Sequence, residues 1–229
     1  MNYMKAANVN LSLENKESIA QTEQYVRDTL CGAEAGHDWW HVHRVYNNAK
    51  LILESEEADR LVVELAVLLH DIADSKFNNG DEEIGPQKAG LFLKSIQVKE
   101  STIEHVQQII RNMSFRTGLG TINFHSHELE IVQDADRLDA IGAIGIARAF
   151  TFGGFKNREI YNPEIPPSLN MSKEEYKNSN GPSINHFYEK LLLLKDQMNT
   201  ETGRKIAYER HSFMETYLEQ FKSEWNGES

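Results

Sequence analysis

The sequence predicts an all-α fold built as a single domain, and three observations carry that prediction. Apolar residues recur at three- and four-residue spacing along almost the whole chain. No alternating run closed by a tight turn reads as a β-hairpin. The residues that break helices are concentrated: four of the five prolines (Pro163, Pro166, Pro167 and Pro182), with Gly153, Gly154 and Gly181, fall in 153–182. There is no internal repeat and no low-complexity tract.

In chain order, residues 15–31 place Ile19, Tyr25, Val26 and Leu30 on one loosely amphipathic helix. A second helix is expected from about Gly36 to Glu57, with Trp40, Val45, Ala49 and Ile52 at three-to-five-residue spacing. A third, from about Glu57 to Ala73, contains Leu61-Val62-Val63-Glu64-Leu65-Ala66-Val67-Leu68-Leu69, and so nearly continuous an apolar run predicts burial on most sides. Asn78-Asn79-Gly80-Asp81 reads as a loop. Helices are then expected over 86–97 and 101–112, the second opened by a capping box at Ser101-x-x-Glu104. After a loop over 114–126, one long helix is expected from Ser126 to Phe150, through Ile131, Val132, Leu138, Ile141, Ile144 and Ile146. Gly142 and Gly145 inside it each cost about 1 kcal/mol in helix propensity, which suggests close helix packing there. The stretch 153–182 reads as an irregular insertion of the kind that forms lids, with one short helix opened by Ser172-x-x-Glu175. Helices over 183–199 and 201–225 close the chain. In the last, Ile206, Phe213, Tyr217, Phe221 and Trp225 form a stripe, with Met214 and Leu218 beside it, read as core packing. The domain expectation is an N-terminal extension over 1–14 and one domain over 15–225.

Charge and cysteine content narrow the function. The formal net charge is −11, which argues against broad nucleic-acid binding, because that needs basic surface to neutralise phosphates. A single cysteine, Cys31, excludes an intramolecular disulfide framework and a cysteine-based zinc site, and is expected to be a small buried or half-buried hydrophobe. Residues 1–13 lack the continuous apolar core of a signal peptide, and apolar runs such as Leu191–Leu194 fall far short of the ~20 residues of a membrane span. A cytoplasmic protein without membrane contact is the expectation.

Histidine is the unusual component. Nine are present, and His37, His41 and His43 fall within seven residues. In a chain with one cysteine, a metal site must be built from histidine and carboxylate. Chance supplies about 0.4 His-Asp dipeptides at this composition, and two occur, His37-Asp38 and His70-Asp71. The second pair ends the most apolar predicted helix, where two ionisable side chains need partners because burying them unpaired is costly. A divalent cation partners both an imidazole nitrogen and a carboxylate oxygen. Adjacent residues diverge by about 100° around a helix, so they share an ion only beside the helix end.

The order His…His-Asp…Asp, embedded in His41-x-x-Arg44-Val45, Leu68-Leu69-His70-Asp71-Ile72 and Ala135-Asp136-Arg137-Leu138, resembles the HD-domain superfamily of metal-dependent phosphohydrolases. The run Asp134-Ala135-Asp136-Arg137-Leu138-Asp139-Ala140-Ile141-Gly142-Ala143-Ile144-Gly145 and the C-terminal Arg210-His211-x-Phe213-Met214 resemble in particular the stand-alone bacterial HD hydrolases. The resemblance covers roughly residues 25–225. It implies an HD-type helical bundle in which His41, His70, Asp71 and Asp136 hold one divalent metal ion, drawn from Mn, Mg, Fe, Co, Ni and Zn. It further implies a phosphohydrolase acting on a small phosphate ester, foremost a nucleotide, by attack of a metal-activated water. Superfamily members with two metals add histidines between the His-Asp pair and the last Asp. Here His105, His125 and His127 lie in that interval and are read as solvent-facing, so a mononuclear site is expected.

Several neighbours carry two readings each. Asp74, one turn from His70 on the same face, is expected to be a general acid/base or to orient the attacking water; the alternative is an ordinary residue after a helix end. Arg44, one turn from His41, and Lys76 are candidates to hold a substrate phosphate, or to form structural ion pairs. His37 is a candidate substrate contact or support for a ligand, while Asp38 is a candidate helix cap. Arg148 is read as structural, and Asp134 as exposed or supporting a ligand. Expected partners are a small phosphorylated substrate and, by default, a second copy in a homodimer. The alternative function is a non-catalytic, metal-containing HD module that binds a nucleotide or other small anion. A di-iron oxygenase needs histidine ligands beyond those assigned.

Overall fold

The structure, a computed structural model, describes residues 11–32, 38–73, 83–113, 124–169, 171–172, 175 and 179–228. Every regular element among them is helical, and no strand is present. The Cα packing divides the chain into two compact units, Met1–Asp136 and Arg137–Ser229.

The first unit contains α1 (Leu13–Thr29), α2 (Trp39–Ile52), α3 (Arg60–Leu69), α4 (Ile84–Ser95), α5 (Glu100–Asn112) and the greater part of α6 (His127–Asp139). Its centre is α3, whose residues from Val62 to Leu69 are all buried. Each such aliphatic side chain contributes about 1.5–3 kcal/mol of burial. Helices α1, α2 and α5 pack around α3, and α4 packs on α5. The one charged residue in that buried run, Glu64, is 2% exposed and fully engaged. It accepts from Tyr46 Oη of α2 at 2.6 Å and from Arg60 Nε at 2.6 Å. Burial, reinforced by the hydrogen bond to Glu64, raises the Tyr46 hydroxyl well above the ordinary tyrosine range. Helix starts are satisfied locally: Ser12, Asp38 and Asp59 accept from backbone N–H groups in the first turns of α1, α2 and α3.

Three expectations are corrected in this unit. Trp40 is 60% exposed and Trp39 is buried instead, because α2 turns His41, Val42, Val45, Tyr46, Asn48, Ala49 and Ile52 inward. Ser101 is not a cap, and α5 begins at Glu100 without a side-chain cap. Gln97, at φ 60°, reverses the chain after α4 while its N–H and that of Val98 bond Lys94 and Leu93, so Lys99 is already extended and the helix starts earlier. Cys31, just past α1, is exposed rather than buried.

The second unit contains α7 (Gly142–Phe155), α8 (Asn185–Glu189), a 3-10 segment (Leu191–Gln197) and α9 (Glu201–Asn226). Helix α9 packs on α7 and on the 3-10 segment, which also packs on α8. The single helix expected from Ser126 to Phe150 is two, because Gly142 adopts φ +76°. A Cβ there would meet Arg210 Cγ of α9 at 3.0 Å, and Arg210 Nη1 donates to the Leu138 carbonyl at 2.6 Å. At Gly145 a Cβ would lie 2.3 Å from the Ala140 carbonyl oxygen, so the close approach there is to the backbone of the break itself.

The helix expected over 183–199 is also two elements. Lys190, at φ −145° and ψ −56°, ends α8, and the following turns tighten so that Leu191 and Leu194, three apart, are the buried pair. In α9 the buried face is Gly203, Ala207, His211, Met214 and Leu218, while Phe213 and Trp225 are more than half exposed. The Ser172–Glu175 box forms, with Ser172 N donating to Glu175 Oε2 at 2.7 Å and Glu175 N to Ser172 Oγ at 3.2 Å. The rest of that short helix lies outside the described residues.

Candidate metal centre

His41, His70 and Asp71 come together because α2 packs along α3. His41 sits in the first turn of α2, where Asp38 accepts its backbone N–H at 2.9 Å and fixes the helix start. His70 is the residue that ends α3, and Asp71 follows it, so the pair lies beside a helix end as an ion shared by neighbours requires. Among the described residues, His41, His70 and Asp71 each place a potential ligand atom within 4.8 Å of the others. Both imidazoles are buried, with side chains 4% exposed, and Asp71 is 21% exposed.

The protonation of His70 follows from its partner. Nδ1 lies 2.7 Å from the Val67 carbonyl oxygen, which only accepts, so Nδ1 carries the hydrogen. In the neutral ring, Nε2 is then a bare lone pair, and it is buried with no hydrogen-bond partner. Asp71 Oδ2 is 3.8 Å from His70 Nε2 and 3.5 Å from His41 Nε2. These separations exceed a hydrogen bond. They approach the ligand–ligand spacing of about 3.0–3.5 Å that metal–N and metal–O bonds of about 2.0–2.2 Å produce. The three side chains therefore fit a divalent cation by donor type and by spacing.

Asp136, the fourth expected ligand, stands near the end of α6 with Oδ1 3.5 Å from His41 Nε2, and its side chain is 43% exposed. It approaches the cluster through His41. The preceding turn is held by Asn48, a buried residue of α2 whose Nδ2 donates to the Ala135 carbonyl at 3.0 Å. Sequence reading passed over Asn48; its signal was a polar residue on the buried stripe His41–Val45–Asn48–Ile52. Arg44 is half-buried, one turn after His41. His37, Asp74 and Lys76 lie outside the described residues.

Asp134 is fully buried rather than exposed. Arg148 pairs with the buried Asp139 carboxylate and donates to its carbonyl at 3.2 Å. His105 lies 3.0 Å from Ser126 Oγ and 3.5 Å from Glu128. His127 lies between Glu130 at 2.9 Å and Glu56 at 3.4 Å, and His125 is exposed. His105 and His127 are thus half-buried and paired with acidic or hydroxyl groups rather than simply facing solvent.

Residues 39–141 match the family model of the HD domain. An uncharacterized protein of Bacillus subtilis, YpgQ, is 39% identical over 215 residues, which covers 92% of this chain and 97% of the relative. The crystal structure of an HD-superfamily hydrolase from Bacillus thuringiensis is similar at 44% identity and a TM-score of 0.75, covering 93% of this chain and 98% of the other. The Bacillus subtilis YpgQ structure in complex with ADP is similar at 35% identity and a TM-score of 0.74, covering 93% and 97%.

Proposed function

The chain belongs to the HD-domain superfamily, among its hydrolases, and we propose that it is a divalent-metal-dependent phosphohydrolase acting on a small phosphate ester, with a nucleotide foremost. The observation that carries this reading is the buried, unpartnered lone pair of His70 Nε2 beside His41 and Asp71. An orphaned buried acceptor is costly, and a cation is the partner that also serves the two neighbouring donors. In this reading His41, His70, Asp71 and Asp136 hold one ion. When bound, a divalent cation supplies Lewis acidity toward phosphoryl oxygens and acidifies water.

The chain's own groups do the rest. The Val67 carbonyl holds His70 in the tautomer that presents Nε2, and Asp38 and Asn48 hold the ends of α2 and α6. Asp74 takes the proton of the attacking water, and Arg44, Lys76 and His37 orient the phosphate oxygens. A nucleotide is favoured because a relative at 35% identity has been crystallised with ADP. The net charge of −11 does not oppose an anionic substrate, because capture depends on the field at the cleft.

The test is hydrolysis by metal-reloaded protein, screened with nucleoside mono-, di- and triphosphates and with general phosphoesters in Mn, Mg, Fe, Co, Ni or Zn. Phosphate release that disappears in His70→Ala supports the reading. A sample that binds metal yet turns over none of these substrates overturns it.

A further inference from the structure

The second unit contains a cleft of about 420 Å³ to which the metal reading assigns no role. That volume lies in the range of small-molecule sites, about 300–1,000 Å³. Its apolar wall is aromatic: Phe150 of α7 and Tyr217 and Phe221 of α9. These rings brace one another, with Phe150–Tyr217 centroids 6.1 Å apart and Tyr217–Phe221 centroids 6.3 Å apart. Phe187 of α8 backs both Phe150 and Tyr217. Ile160 and Ser183 also line the cleft, and their segments are tied by backbone bonds from Ser183 N to the Glu159 carbonyl and from Ile184 N to the Ile160 carbonyl, at 2.9 and 3.0 Å.

Two polar groups line this aromatic cleft. Ser183 is 4% exposed and is one of the residues that line the cleft. It occupies space that only a glycine at 153 leaves open, since a Cβ there would lie 2.1 Å from Ser183 Oγ. Arg158 is placed by the end of α7, where Asn157 at φ 53° closes the helix and the Arg158 N–H bonds the Gly153 carbonyl at 2.9 Å. Its guanidinium donates to the Ser179 carbonyl and lies 5.5 Å from the Phe152 ring centroid, its Nε is buried without a partner, and none of these contacts is to a carboxylate. In a chain with 35 acidic and 24 basic residues, an arginine whose contacts are to a carbonyl and a ring is available to an incoming anion.

We infer that this cleft binds an aromatic ring carrying an anionic group, with the ring among Phe150, Tyr217 and Phe221 and the anion against Arg158 and Ser183. The site is built from residues of the second unit alone and does not depend on the metal reading. The lining rings, edge-on at Phe150–Tyr217 and tilted at Tyr217–Phe221, offer a planar ring dispersion and quadrupole contact. A half-buried guanidinium contributes a charge-assisted hydrogen bond.

The test is fluorescence titration of the full chain, with chelator present, using the aromatic sulfonate 8-anilinonaphthalene-1-sulfonate and its uncharged counterpart N-phenyl-1-naphthylamine. Saturable binding at one site is expected. Arg158→Gln should weaken the sulfonate by about tenfold or more and the neutral dye by less than about twofold. Gly154→Leu, at a position that lines the cleft and where a Cβ meets nothing within 4 Å, should fill the cleft and weaken both dyes about tenfold. Circular dichroism establishes that each variant folds, and Gly154→Leu decides the matter should Arg158→Gln not fold. Absence of saturable binding, equal weakening of both dyes by a folded Arg158→Gln, or full binding by Gly154→Leu overturns the inference. Failure of phosphate-ester hydrolysis leaves these titrations unchanged.

Discussion

His70 owes its chemistry to a neighbour that is no ligand: a backbone carbonyl three residues earlier decides which ring nitrogen is left bare. The motif Leu68-Leu69-His70-Asp71 marked the histidine and aspartate as candidates, because ionisable side chains that end an apolar helix need partners. The motif did not reveal Asn48, whose role depends on a contact 87 residues away. Nor did it reveal that Asp134 is buried, since its neighbours on α6 had no visible face assignment. Glu64 shows the same dependence on distant partners. Tyr46→Phe removes one of its two partners and should lower stability by about 1.5–3 kcal/mol, read as a fall in the urea midpoint. His186 gives a pH prediction. Burial, aided by the charges of Lys190 and Arg158, pulls its pKa from 6.5 down to about 4. Between these values the unfolded chain takes up a proton that the folded chain refuses, so stability is fullest above 6.5 and declines as pH falls toward 4. The loss is on the order of 3 kcal/mol, and urea titrations of His186→Gln should lack that component.

At the scale of elements, α1 to α5 were legible from apolar spacing, because each buries one face or, for α3, nearly all of itself. The break between α6 and α7 was not, since apolar residues run through it without interruption and only the positive φ of Gly142 creates it. The α8–3-10 pair was missed for a related reason: four consecutive leucines define no face until a dihedral at Lys190 chooses a period of three. The glycines test this account of the break. Gly142→Ala should cost about 2 kcal/mol, because a side chain disfavours that φ and Arg210 leaves little room. Gly154→Ala, in α7 with open space at its Cβ, should stabilise by about 0.5–1 kcal/mol. Both are measured as shifts of the urea midpoint, in opposite directions. Asp38→Ala should cost about 1 kcal/mol by uncapping α2, and should weaken metal binding as well because His41 lies in the uncapped turn.

At the scale of the whole molecule, family, helical class and candidate site agree, while the net charge of −11 stands apart from them as a property of the surface. No single helix among the described residues is long and apolar enough to cross a membrane. If the first unit's ligand cluster holds a cation, the ion binds the folded chain and not the unfolded one, so at 100 times its Kd it should add about 2.7 kcal/mol of stability. That linkage makes metal binding measurable without knowledge of the substrate. The most direct measurement is a calorimetric titration of the chelator-treated chain with Mn²⁺, beside the same titration of His70→Ala. Saturation at one ion per chain, lost in His70→Ala while its helical circular dichroism is retained, is the predicted result. Equal Mn²⁺ binding by the two proteins, or none by either, would contradict a metal centre at His41, His70 and Asp71.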